Sequence, residues 1–211
     1  MWIFHNFTEK LFDTFFPKKC IGCKKENTII CKICLNNLRK NIDTENLLVY
    51  SYFSYKDLLT RKIIRNIKYF HRKDLINPLT SESFYYFSFV LSEIDNPIII
   101  PIPVSKIRLY VRGYNQAELI AKEFSNFFKV DLYNNILIKN KTNKRQAIIR
   151  NKNERIENIK NSFAVKNKEE IFEKNIILID DVATSYATMN EARNILLKNG
   201  AKKVIGFTLA H

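Results

Sequence analysis

Apolar positions change their rhythm several times along the chain, and each change marks an element. Trp2, Ile3, Phe4, Phe7, Leu11, Phe12, Phe15 and Phe16 fall largely on one helical face, and Pro17 ends the run. That spacing predicts an amphipathic helix. Residues 47–55, LLVYSYFSY, alternate as a strand or hairpin arm does. Residues 57–70 predict a basic amphipathic helix, with Leu58, Ile63, Ile64 and Ile67 on one face and Arg61, Lys62, Arg65 and Lys68 mostly elsewhere. An aromatic-rich helix follows over residues 81–92, with Phe84, Phe87, Phe89 and Leu91.

The pattern then turns to strand–helix alternation. PIIIPIP (97–103) is wholly apolar, as in a buried parallel strand with prolines at its ends. Ala117, Ile120, Ala121, Phe124 and Phe128 mark a helix. NIILI (175–179) is a second buried strand. The next helix carries Met189, Ala192, Ile195 and Leu196, with Gly200 where a C-terminal cap belongs. KKVIGFTLA (202–210) forms a third strand. Such alternation predicts an α/β fold with a Rossmann-like parallel sheet. The polar segment 139–161, crowded with lysine, arginine and asparagine, reads as a loop.

Composition adds two constraints. A hydrophobic content of 46% in 211 residues supports a packed core. A net charge of +14 suits a polyanionic partner. Yet lysine, asparagine and isoleucine abound throughout, so a genome-wide bias explains the charge equally well. No stretch approaches the ~20 apolar residues of a membrane span. His5, Asn6, Thr8, Glu9 and Lys10 interrupt the start, unlike a secretion signal. The expected location is therefore the cytoplasm. The N-terminal helix either packs on its own domain or docks at the inner membrane face or on a partner.

All four cysteines, Cys20, Cys23, Cys31 and Cys34, lie in CIGCKKENTIICKIC, two C-x-x-C knuckles separated by seven residues. Four thiolates suit a closed tetrahedral zinc site, structural rather than catalytic. Two disulfides or a redox pair are the alternatives, and a reducing cytoplasm disfavours the first. Residues 1–46 are accordingly expected as a helix plus zinc-finger module, and 47–211 as the α/β domain.

The chemistry concentrates in NIILIDDVATSYATM (175–189). Two adjacent acids end a strand and run into a hydroxyl-rich turn that opens a helix, a natural phosphate cradle. The acids suit neutral hydroxyls or a magnesium ion; a phosphorylated sugar suits acids and turn together, with its phosphate on the turn and its hydroxyls on the acids.

ILIDDVATSYAT resembles the ribose-5-phosphate signature of type I phosphoribosyltransferases. The paired knuckles, then PIPVSKIRLYVRGYNQAELIA, then this acidic signature together resemble the ComF family over nearly the whole chain. The resemblance implies a phosphoribosyltransferase-like domain binding phosphoribosyl diphosphate (PRPP). Asp180 and Asp181 would contact the ribose hydroxyls, and Thr184, Ser185, Ala187 and Thr188 the 5-phosphate. Arg112, Gly113 and either Arg108 or Lys106 would face the diphosphate, with Mg2+ bridging diphosphate and ribose hydroxyls. Thr142, Arg145, Gln146, Arg155 and Asn158 resemble the family's cover over the site. Tyr186 stands where the signature has glycine.

Family membership further implies a part in natural transformation, handling incoming single-stranded DNA. Tyr52, Tyr55, Tyr69 and Phe70 lie among Lys56, Arg61, Arg65, Lys68, Arg72 and Lys73, so that rings could stack on bases and cations follow phosphates. Two alternatives stand beside this role: a phosphoribosyltransferase with an unknown acceptor, and a membrane-docked adaptor of the uptake machinery. No residue is committed to an acceptor. His5 and His71 are distant in sequence from the motifs, and His211 is the last residue of the chain.

Overall fold

The computed structural model describes residues 17–41, 48–140 and 162–211. The expected N-terminal helix and the cover residues Thr142, Arg145, Gln146, Arg155 and Asn158 lie outside them.

The cysteine module leads. Cys31 opens the short helix α1 (Lys32–Asn36), its side chain accepting from the Cys34 N–H. β1 (Val49–Phe53) follows. Helix α2 (Leu58–Tyr69) starts at Asp57, whose carboxylate accepts from the Thr60 N–H at 2.7 Å. Its buried stripe is Thr60, Ile63, Ile64 and Ile67. Leu58, expected on that stripe, is 78% exposed. At about 100° per residue it lies opposite Ile67, and Thr60 takes its place.

Helix α3 (Ile76–Ser92) begins earlier than its aromatics suggest, burying Ile76, Leu79, Phe87 and Val90 while leaving Phe89 exposed. β2 (Pro97–Pro101) leads to α4 (Lys106–Arg112), which Gly113 caps at φ 71°. Helix α5 (Gln116–Phe128) comes next. β3 (Leu137–Lys139) and β4 (Phe163–Val165) pair antiparallel. That small ribbon falls partly in the segment read as loop, because three-residue strands carry too few positions to show a period. β5 (Asn175–Val182), α6 (Ala187–Lys198) and β6 (Lys203–Ala210) complete the domain.

The sheet is parallel throughout, in the order β1-β6-β5-β2. Three strands were expected centrally; β1 joins them as a fourth, pairing with β6. Side-chain alternation divides β5 between two apolar layers. Ile177 and Ile179 face a cluster with α2, α3 and α5, whereas Ile176 and Leu178 face one with α6 and the β3–β4 ribbon. Cys20, Ile21, Ile30, Cys31 and Leu38 join the first cluster, so the cysteine module shares the domain's core. No helix among the described residues is long and apolar enough to cross a membrane.

Candidate functional site

All four parallel strands deliver their carboxyl ends to one edge, where ligands of open α/β sheets gather. β5 brings Asp180 and Asp181, still within the strand rather than beyond it. Asp181 follows Ile177 and Ile179 toward the α2 layer and is 5% exposed. Lys68 meets it there, Nζ to Oδ2 at 3.1 Å. The sequence reading set Lys68 among the cations that could follow DNA phosphates. Instead, its i, i+4 relation to Ile64 sets it beside the buried stripe, and its stem reaches inward. Burial opposes the Lys68 charge, but Asp181 and then Asp180 hold its pKa above the usual lysine range.

Asp180 is half-buried, and its Oδ1 accepts from the Asp181 N–H at 2.8 Å. Burial, followed by the neighbouring Asp181 charge, pushes its pKa up to about 7, with Lys68 opposing. Lys139 of β3 lies close enough to Arg108 and Asp180 to feel both. Burial first, then Arg108, lowers the Lys139 pKa, and Asp180 opposes. Sequence reasoning missed Lys139, since nothing local ties β3 to the acids.

Val182, Ala183, Thr184, Ser185, Tyr186, Thr188, Met189 and Asp180 line a hollow of about 40 Å³, room for a few waters or a small anion. Thr184 and Ser185 are exposed. Tyr186, where the signature has glycine, adopts φ 52°, the left-handed region that favours glycine. Tyr186 makes no side-chain cap bond to α6, and Thr188 and Met189 of the first turn line the hollow. The Tyr186 ring stacks on His211 at 4.3 Å between centroids. His211, set aside as the chain's last residue, reaches the same edge because β6 runs parallel beside β5, and its N–H donates to the Phe53 carbonyl at 3.0 Å.

On the β2 side, Arg108 is exposed on α4. Arg112 Nη1 donates to Gln116 Oε1 at 3.0 Å, and its guanidinium lies over the Tyr69 ring at 5.4 Å. Gly113 is open, with nothing within 4 Å of a Cβ built there. His71, remote in sequence, sits with Nδ1 3.1 Å from the Arg112 carbonyl oxygen. Of the expected DNA contacts, Arg61, Arg65 and Lys73 are exposed, while Arg72 pairs with Asp74 at 2.8 Å. Tyr69 and Phe70 are open to solvent; Tyr52 is core.

The four cysteine Sγ atoms lie within 4.8 Å of one another, Cys23 and Cys31 at 3.6 Å. Tetrahedral zinc with bonds of about 2.3 Å needs sulfurs about 3.8 Å apart, so the set fits such an ion. N–H groups of Cys31 and Cys34 point at Cys20 and Cys31 sulfur. Burial raises the Cys20 thiol, but N–H donors from Cys31, Cys23 and Gly22 outweigh it and leave a pKa of about 6. Cys34 is pushed up to about 12, by burial first. A bound zinc would supply structural cross-linking here, with all four positions filled by protein.

No family model matches the chain. Competence protein F of Haemophilus influenzae is 34% identical over 113 residues, 53% of this chain and 49% of that protein. Competence protein ComFC of Bacillus subtilis is 33% identical over 160 residues, 75% of this chain and 62% of that one. ComFC of Streptococcus pneumoniae aligns over 205 residues at 27% identity, 95% of this chain and 84% of it. The chain is similar to the ComF competence proteins. It spans from about half to just under two thirds of the first two relatives' length. Among solved structures, a glutamine PRPP amidotransferase from B. subtilis aligns over 65% of this chain and 25% of its own, at 17% identity and a TM-score of 0.38, too slight a likeness to carry more.

Proposed function

We propose that the edge formed by β5 and α6 binds a ribose 5-phosphate of the PRPP kind, within a cytoplasmic factor that handles incoming single-stranded DNA during natural transformation. One observation carries the ligand reading: Asp180 and the start of α6, which has no side-chain cap and a glycine-type backbone at Tyr186, line a single hollow, with Asp181 next to Asp180 in the strand. Amides and the Thr184, Ser185 and Thr188 hydroxyls suit a phosphate; the acids suit sugar hydroxyls. Lys139, within electrostatic reach of both Asp180 and Arg108, adds positive charge for a diphosphate.

The competence names of the relatives support the transformation role. Exposed Tyr69 and Phe70, with Arg65, Lys73 and Arg112 around them, support a single-stranded partner. The magnesium implied by the family resemblance would bridge the ligand's diphosphate and ribose hydroxyls, while on the protein side Lys68 already faces Asp181.

Calorimetry with PRPP and with ribose 5-phosphate tests the ligand reading. Ser185→Ala combined with Thr188→Val should weaken either ligand by about tenfold to a hundredfold while the melting temperature holds. Equal affinity for wild type and variant would overturn it.

A further inference from the structure

Lys68 sits between two elements that the chain builds for different purposes. Helix α2 packs Ile63, Ile64 and Ile67 into the core, and the lysine one residue on extends from that stripe to the carboxyl end of β5. Its ammonium lies 3.1 Å from the Asp181 Oδ2, both side chains largely out of solvent. Asp180 adds a second acid, half-buried and bonded to the Asp181 N–H. A pair of adjacent carboxylates by itself attracts a divalent cation. With an ammonium 3.1 Å from one of them, the pair carries about half that charge, and a metal ion at the Asp181 Oδ2, which no hydrogen bond from the described residues occupies, would meet a second cation. Neutral hydroxyls lose nothing by this arrangement. They can donate to the free carboxylate oxygens beside a cation that also tolerates a nearby phosphate.

We propose that Lys68 sets the specificity of the acid pair, acting as a built-in cation that makes the site take a sugar diol and refuse a divalent metal in the absence of sugar phosphate. This rests on the sugar-phosphate reading above for the identity of the diol, but not for the exclusion of the metal.

Mn2+ alone and ribose 5-phosphate alone are the probes, with electron paramagnetic resonance for the metal and calorimetry for the sugar. Wild type and Lys68→Arg should show no saturable Mn2+ site that depends on Asp181. Lys68→Met should gain one, about tenfold or more tighter than any residual wild-type binding, and Lys68→Met/Asp181→Asn should lose it again. Mn2+ should also raise the melting temperature of Lys68→Met and leave that of wild type unchanged. Should Lys68→Met fail to fold, Lys68→Gln, which keeps a polar head beside Asp181, takes its place. Asp181-dependent Mn2+ binding equal in wild type and the methionine variant overturns the proposal, as does a variant that gains none. Failure of wild type to bind ribose 5-phosphate would instead overturn the sugar-phosphate reading, with the Mn2+ results still deciding the role of Lys68.

Discussion

Asp180 shows how far a single residue's behaviour departs from its type. Its folded pKa, raised by burial and by Asp181, is about 7, above the 3.8 of a free side chain. Between those values the native protein holds a proton that the unfolded chain has lost, so this group's contribution to stability falls as pH rises through that window. Asp180→Asn should therefore melt like wild type near pH 4 and a few degrees higher near pH 8, measured by thermal fluorimetry at both. An equal shift at both pH values would contradict the raised pKa. The adjacency of the two acids is plain in NIILIDD, but their separate partners are not. Lys68 and Lys139 lie far from them in sequence, and side-chain reach across packed layers has no local signature. Tyr186 is the opposite case: its departure from glycine marked a backbone position of special geometry, and φ 52° is that geometry.

Elements were legible where their period was long enough. Helices α2, α5 and α6 and strands β2, β5 and β6 follow from their apolar spacing, since one buried face imposes 3.6 or 2 residues per repeat. What spacing could not settle was the margin of a stripe, where Leu58 turns out and Lys68 turns in. The knuckles pack closely on α2. Lys62 Nζ donates to the Ile21 carbonyl at 2.7 Å, and a Cβ at Gly22 would lie 2.6 Å from Cys34 Sγ and 3.2 Å from Leu59 Cδ2. Gly22→Ala should cost about 1–3 kcal/mol and weaken metal retention, read by melting temperature and by competition with a zinc chelator. An alanine variant as stable and as well metallated as wild type would show that the loop relaxes freely.

Across the whole molecule, the cysteine module and the sheet share one apolar cluster through Cys20, Ile21, Ile30 and Leu38, and Lys40 pairs with Glu82 of α3 at 3.5 Å. Stripping zinc should then unsettle more than the knuckles: the melting temperature of the full chain should fall by about 5 °C or more. A melt unchanged after metal loss, confirmed by elemental analysis, would separate module from domain. The sequence by itself determined the α/β alternation, the four-cysteine cluster and the acidic strand end with its hydroxyl-rich turn, because each is written in residues near one another along the chain. Only the tertiary structure decided that Lys68 neutralises Asp181, that His211 backs Tyr186, and that Lys139 lies within electrostatic reach of Asp180 and Arg108. Those meetings depend on strand order and helix packing, which bring together residues that no local pattern relates.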